Sequence, residues 1–270
     1  MTDLTGKTAL VTGASRGVGY ATAVHLAARG ARVVISARGV ERLESSRRAL
    51  EAAGAQVVAI AGDVGHWPDA QRMVDAAVDR FGGLDILINN AGVSIRGRFA
   101  DLAPTTCERV LRTNLFGAVY PTRAAIEHII AARGHVIFVS SIAGIFGLPG
   151  ASVYCASKGA LTELAGSLRL ELGPAGVHVG VVHLGFTEHD PEKRLLAADG
   201  APLLPDRPAH QTQAEAAARI VSAIDRRQRQ VTLTAMGKLG RLAHSLSPRL
   251  VEWTIGRALS SDWRVFQQFS

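Results

Sequence analysis

Short apolar runs alternate along this chain with helical stretches that close on glycine, and this alternation limits the available folds more than any other feature. Thr8 to Val11 leads into a helix closed by Gly30, Arg32 to Ser36 into one closed by Gly54, and Gln56 to Ala61 into one closed by Gly82. Leu84 to Asn89 precedes a long helix from about Pro104 to Arg133, and His135 to Ser140 precedes another from about Ser152 to Leu172. Val177 to Leu184 and Val231 to Thr234 complete seven expected strands. Repeated βαβ units predict an α/β fold with a parallel sheet and helices on both faces. Val33-Val34-Ile35 and Ile86-Leu87-Ile88 are apolar without alternation, as strands buried on both faces should be.

The pattern is interrupted twice. Phe186 to Thr212 holds Pro191, Pro202, Pro205 and Pro208 among charged residues, which reads as an irregular lid over residues 186–212. Beyond the last strand, Ser247-Pro248 is a cap followed by a first-turn proline. Val251, Thr254, Ile255, Ala258 and Leu259 then share a helical face, and Leu239, Leu242 and Leu246 share one upstream beside Lys238 and Arg241. The expected organisation is one α/β domain over 1–236, lid included, and an amphipathic helical extension over 237–270.

Composition narrows the function classes. The formal charge is +7, but the basic residues are spread along the chain without interleaved aromatics, which argues against nucleic acid as a partner. Cys107 and Cys155 are the only cysteines and offer neither a disulfide framework nor metal-ligand spacing, so no metal is expected. No charged leader with a long apolar segment opens the chain, and a cytoplasmic location is the default expectation. The basic amphipathic extension leaves peripheral attachment to a membrane surface open.

Thr12-Gly13-Ala14-Ser15-Arg16-Gly17-Val18-Gly19 follows the first strand and opens the first helix. Glycines at such a turn let backbone approach a pyrophosphate, and the helix N-terminus favours the anion. This places the fold in the Rossmann-type, doubly wound class with a dinucleotide cofactor. A carboxylate at the end of the second strand would bind the ribose hydroxyls; here the strand ends Ser36-Ala37-Arg38. Arg38 and Arg16 together suit a 2′-phosphate, so NADP(H) is the expected cofactor. Tyr154 and Lys158, four apart on an expected helix, share a face, and an ammonium beside a phenol favours the phenolate.

With these motifs in order, the chain resembles the short-chain dehydrogenase/reductase family over residues 5 to about 235. The resemblance rests on the turn Thr12 to Gly19, Asp63-Val64, Asn89-Asn90-Ala91-Gly92, Asn114, Ser141 and the pair Tyr154 and Lys158. It implies hydride transfer between NADP(H) and a carbonyl or secondary alcohol. Tyr154 would then be the proton donor, Ser141 would hold the substrate oxygen, and Lys158 would bind the nicotinamide ribose and tune the tyrosine. Asn114 would hold a water linking the lysine to solvent. The family's spacing to the tyrosine selects Ser141 over its neighbour Ser140.

The resemblance further implies a cofactor site of Gly13, Ser15, Arg16, Gly17, Val18, Gly19, Arg38, Asp63, Val64, Asn90, Ala91, Gly92, Tyr154, Lys158, Gly185 and Thr187. Asn89 and Asp85 would serve the fold. The chain departs from the family's PGxxxT after the sixth strand, reading Leu184-Gly185-Phe186-Thr187-Glu188-His189. Ile95, Ser141, Ile142, Phe146, Leu148, Phe186 and His189 are the substrate-pocket candidates, and their apolar lining suits a hydrophobic ketone or aldehyde. A homodimer or homotetramer is implied through the two long helices, with Ala156, Ala160, Ala165 and Gly166 permitting close approach. The competing reading is a catalytically silent NADP(H)-binding regulatory or membrane-surface protein, against which stands the joint presence of Asn114, Ser141, Tyr154 and Lys158.

Overall fold

A computed structural model describes residues 3–188, 190–204 and 209–260, with backbone alone at 258–260. The seven expected strands form one parallel sheet: β1 (Thr8–Thr12), β2 (Arg32–Ala37), β3 (Val57–Ala61), β4 (Ile86–Asn89), β5 (His135–Ser141), β6 (His178–Leu184) and β9 (Gln230–Thr232). Their spatial order is β3-β2-β1-β4-β5-β6-β9. The chain therefore winds outward from β1 in one direction, then returns to β4 and winds the other way. That reversal opens a crevice at the carboxyl ends of β1 and β4, where α/β sheets of this kind take ligands.

Both sheet faces are covered, which explains the unbroken apolar strands. Val33 and Ile35 of β2 pack on one side with Leu26 of α1 (Gly17–Ala27), Leu43 of α2 (Val40–Ala52) and Ile220 and Ile224 of α7 (Gln213–Asp225). Their neighbour Val34 packs on the other with Met73 of α3 (Trp67–Phe81), Ile129 of α5 (Gly117–Ala131) and Leu161 of α6 (Ser152–Leu172). Side chains alternate across a strand, so two covered faces require apolar residues at every position.

The long helix expected over 104–133 is divided. α4 (Pro104–Leu111) passes through a π-helical turn at Arg112–Phe116 before α5 continues. Pro121, inside α5, has no N–H to offer the ladder. Within the widened turn, the Asn114 side-chain amide donates to Val93 O at 2.9 Å and its Oδ1 accepts from Val93 N at 2.8 Å. The local loss of α-helical bonding is thus matched by a buried clamp on the segment after β4, a pattern common to π turns at functional sites.

The lid also differs from a wholly irregular excursion. β7 (Leu195–Leu196) and β8 (Pro202–Leu203) form a small antiparallel hairpin, and Leu195 and Leu196 are buried. Leu196 N donates to Ser94 O at 2.8 Å, and Arg96 N donates to Leu196 O at 2.8 Å, pinning this part of the lid to the chain after β4.

After β9, α8 (Ala235–Leu246) and α9 (Pro248–Ser260) pack on each other. Ser247 Oγ caps α9 by accepting from Leu250 N, as its sequence predicts. Val251 is buried, but Leu239, Leu242 and Leu246 of α8 and Leu250 and Trp253 of α9 are exposed in a row along the sequence, as are Lys238, Arg249 and Arg257. No helix among the described residues is long and apolar enough to cross a membrane.

Candidate active site

The crevice is a cleft of about 650 Å3, and all sixteen residues expected at the cofactor line it, from Gly13 in the turn to Thr187 at the start of the lid. Gly13 has φ +65, and a Cβ there would stand 2.8 Å from Ala91 Cα, so the turn and the strand-end loop pass too closely for a side chain. Gly17 also has positive φ, but its missing Cβ faces open space. Among the described residues no side chain caps the first turn of α1, and no acidic residue lies in it. Its free N–H groups and bare glycine edge form an anion cradle suited to a pyrophosphate.

Asn90 ties this turn to the end of β4. Its Nδ2 donates to Thr12 O at 2.8 Å, while Thr12 Oγ1 accepts from Asn90 N and Ala91 N at 3.0 and 3.1 Å. Asn89 instead points into the helix layer, donating to Thr122 Oγ1 at 2.8 Å, and Asp85 accepts from Lys7 Nζ and Thr8 N at the opposite end of the sheet. Both serve the fold. Asp63 accepts from Gly65 N through Oδ1, which orders the loop that continues into buried Val64.

At the other end of the cleft, β5 ends at Ser141, whose Oγ accepts from Ala143 N at 3.2 Å. α6 brings Tyr154 and Lys158 to the same cleft. Lys158 is 5% exposed, and its Nζ donates to Val139 O at 2.9 Å. Burial pushes its pKa down to about 8, because the charged ammonium has lost water and no carboxylate among the described residues replaces it. A Cβ on Gly92 would lie 3.3 Å from both Lys158 Nζ and Asn114 Oδ1, so this glycine lets two polar groups converge. Asn114 Nδ2 also reaches Ser157 Oγ at 3.0 Å, which leaves its side chain heavily engaged beside any water relay.

Several substrate candidates separate from the rest. Ser141, Ile142, Leu148, Tyr154 and Phe186 line a smaller recess that also contains Arg96. Ile95 lies outside it: wholly buried, it packs with Val110 and Leu196 because the lid hairpin covers it. Phe146 is drawn away under α8, where Gly240 and the His244 ring meet it. His189 falls outside the described residues. Ala165, expected on the outward face of α6, is fully buried in the core, whereas Ala156 is exposed.

The departure from PGxxxT has a local explanation. Gly185 is required because a Cβ would come within 2.4 Å of the Thr234 side chain, and Leu184 packs against the core where the family has proline. Thr187 Oγ1 donates to Gly185 O and accepts from Gln211 Nε2 at 2.7 Å, so it braces the two ends of the lid while lining the cleft.

Sequence reading missed Arg42, which lines the cleft beside Arg16 and Arg38. A signal existed: a cation in the first turn of α2 lies against the helix dipole, which suggests a purpose other than helix stability.

Residues 7–199 match the short chain dehydrogenase family model. The chain belongs to the short-chain dehydrogenase/reductase family. It is 34% identical to 11-beta-hydroxysteroid dehydrogenase 1A of Arabidopsis thaliana, over 93% of this chain and 75% of that protein. Versicolorin reductase 1 of Dothistroma septosporum is 32% identical over 98% of this chain and 97% of its own. A short-chain dehydrogenase/reductase of Burkholderia phymatum, solved in complex with NAD, superposes with a TM-score of 0.79 at 25% identity, covering 91% of this chain and 96% of that one. The chain is accordingly an oxidoreductase of the nicotinamide-dependent type, with a Rossmann-like sheet matching its relatives.

Proposed function

We propose that this chain is an NADP(H)-dependent carbonyl reductase or alcohol dehydrogenase acting on an apolar ketone, aldehyde or secondary alcohol. The observation that carries the reading is one cleft lined at one end by Arg16 and Arg38 and at the other by Ser141, Tyr154 and Lys158. The nicotinamide supplies or accepts the hydride when bound. Ser141 Oγ orients the substrate oxygen, and the Tyr154 hydroxyl gives it a proton in reduction and takes one in oxidation. Lys158 has spent one of its three donors on Val139 O and keeps two for the ribose and the phenol. Cofactor consumption by the purified protein across a panel of apolar ketones and aldehydes tests the activity; no turnover on any of them would favour the silent regulatory reading.

The preference for NADP(H) rests on the guanidiniums and on the lack of a carboxylate at the end of β2. Arg38 is exposed and has no ion-pair partner among the described residues, so it is available to a 2′-phosphate. NADPH is expected to bind more tightly than NADH in a fluorescence titration, and Arg38→Asp should weaken NADPH by about tenfold or more with little change in NADH. Equal affinities in the wild type would remove the assignment.

The enzyme is further proposed to be a homodimer or homotetramer. The supporting surface runs over the π turn, α5 and α6, where Phe116, Leu170 and Ala156 are exposed and Phe116 joins Tyr120 and Trp67 in an aromatic cluster. The extension 237–270 adds the exposed row from Leu239 to Trp253, which a neighbouring subunit or an anionic membrane surface would cover. Light scattering on the full chain and on one ending near Ala235 separates these roles. Oligomers are expected for the full chain. A strict monomer refutes assembly, while unchanged oligomers that lose liposome binding on truncation assign the row to lipid.

A further inference from the structure

The ion pairs across the cofactor cleft are concentrated at one place. Arg16, from the glycine turn, and Arg42, from α2, face two carboxylates from the lid. Arg42 Nη2 lies 3.0 Å from Asp190 Oδ2, Arg16 Nη1 lies 3.5 Å from Asp190 Oδ1, and Glu192 pairs with both arginines. Asp190 has only a tenth of its side chain exposed. Its position is fixed from within the lid as well, since Oδ1 accepts from Glu192 N at 3.0 Å and its carbonyl accepts from Lys193 N at 2.9 Å. All four charged residues line the cleft that holds the glycine turn and Arg38.

A carboxylate whose two oxygens bridge two guanidiniums presents them with anionic acceptor oxygens, as a bound phosphate would. Both arginines belong to the first two βα units, in the glycine turn and α2, whereas both carboxylates arrive from a segment more than a hundred residues downstream. We infer that Asp190 and Glu192 occupy the 2′-phosphate subsite formed by Arg16 and Arg42, so that the lid and the cofactor's 2′-phosphate compete for the same two cations. The inference deepens the NADP(H) reading and rests on it. It makes Arg42 a specificity-determining residue and gives the lid acids a defined task. An adenine dinucleotide without the phosphate leaves the arginines paired to the lid; one with it displaces the carboxylates and frees residues 190–194. The far side of the lid stays pinned through Leu196 to Ser94 and Arg96, so release is confined to the cofactor side.

The probes are 2′,5′-ADP and ADP, which differ only in where the second phosphate group is attached, measured by calorimetry on the wild type and on the double variant Asp190→Asn, Glu192→Gln. The expected result is that the double variant binds 2′,5′-ADP about tenfold more tightly than the wild type does, with ADP unaffected. Equal tightening for both ligands, or none, overturns the inference. A wild type that favours ADP while the double variant gains selectively for 2′,5′-ADP sinks the NADP(H) assignment but supports the competition. Trypsin provides an arm that needs no variant: cleavage after Lys193 and Arg194, both exposed, should accelerate with 2′,5′-ADP and not with ADP. Identical cleavage under the two ligands counts against displacement of the lid.

Discussion

Tyr154→Phe is expected to lower kcat by roughly a thousandfold while leaving NADPH affinity and Tm near their wild-type values. Only a hydroxyl is removed, and no hydrogen bond to it is part of the described fold. Steady-state turnover, fluorescence titration and thermal melting together check this. A variant that keeps most of its rate would place the proton elsewhere. Lys158→Met should act differently, because this lysine is a buried cation held by one carbonyl. With its pKa lowered from 10.5 to about 8, burial of the charge costs the native state about 3 kcal/mol at neutral pH. The sign follows from the depressed value: the cost is full below about 8 and vanishes above the unfolded value. Lys158→Met is therefore expected to abolish turnover and weaken NADPH, yet raise Tm at pH 7. A fall in Tm would mean that the lost bond to Val139 O outweighs the relief.

This opposition between stability and activity shows why parts of the site were legible in the sequence and others were not. Gly13, Tyr154 and Lys158 follow local rules, a turn before a helix or a spacing of four along one, and such rules survive into the fold, whereas Asn90 and Ser141 were placed only by the family resemblance. The seven strands were legible for a related reason, since a sheet covered on both faces leaves an unbroken apolar trace such as Val33-Val34-Ile35. The π turn at Arg112–Phe116 was not, because it exists to let Asn114 grip Val93, a contact set by tertiary placement rather than by periodicity. Phe146 was misplaced for the same kind of reason: α8 arrives about ninety residues later and covers it. The pairing of Asp190 and Glu192 with Arg16 and Arg42 likewise joins segments with no shared local pattern. Ile95 looked like a pocket residue until the lid hairpin supplied Leu196 to bury it.

The largest pH effect on stability is expected between about pH 6.5 and 4, and it comes from histidines that the fold keeps neutral. His135 and His178 stand opposite each other at the starts of β5 and β6, with their Nδ1 atoms 3.1 Å apart. His178 Nε2 lies 3.1 Å from Gln228 O, a pure acceptor, so Nε2 carries the proton and Nδ1 is left to accept from His135 Nδ1–H. A second proton on either ring would set donor against donor. Desolvation, then His178 and nearby Arg227 and Lys7, push the His135 pKa down to about 4. His183 is wholly buried, gives Nδ1–H to Ser141 O at 3.1 Å, and is held down to about 4, chiefly by desolvation. Above the ordinary value of 6.5 these groups are neutral in both states and contribute nothing. As pH falls below it, the unfolded chain takes up protons that the native state refuses, so stability falls and then levels off near 4. For His135 and His183 the loss approaches about 3 kcal/mol each, before any relaxation of the fold. The carboxylates with lowered values, Asp69 among them, act in a lower range, as pH falls below the ordinary carboxylate values, which keeps the two causes separable. Urea midpoints measured at intervals from pH 7.5 to 4 should drop most steeply between 6.5 and 4.5, and His135→Phe should flatten part of that slope. A variant profile as steep as the wild type would remove the His135–His178 pair from the account and leave His183, bonded to Ser141 O, to carry it.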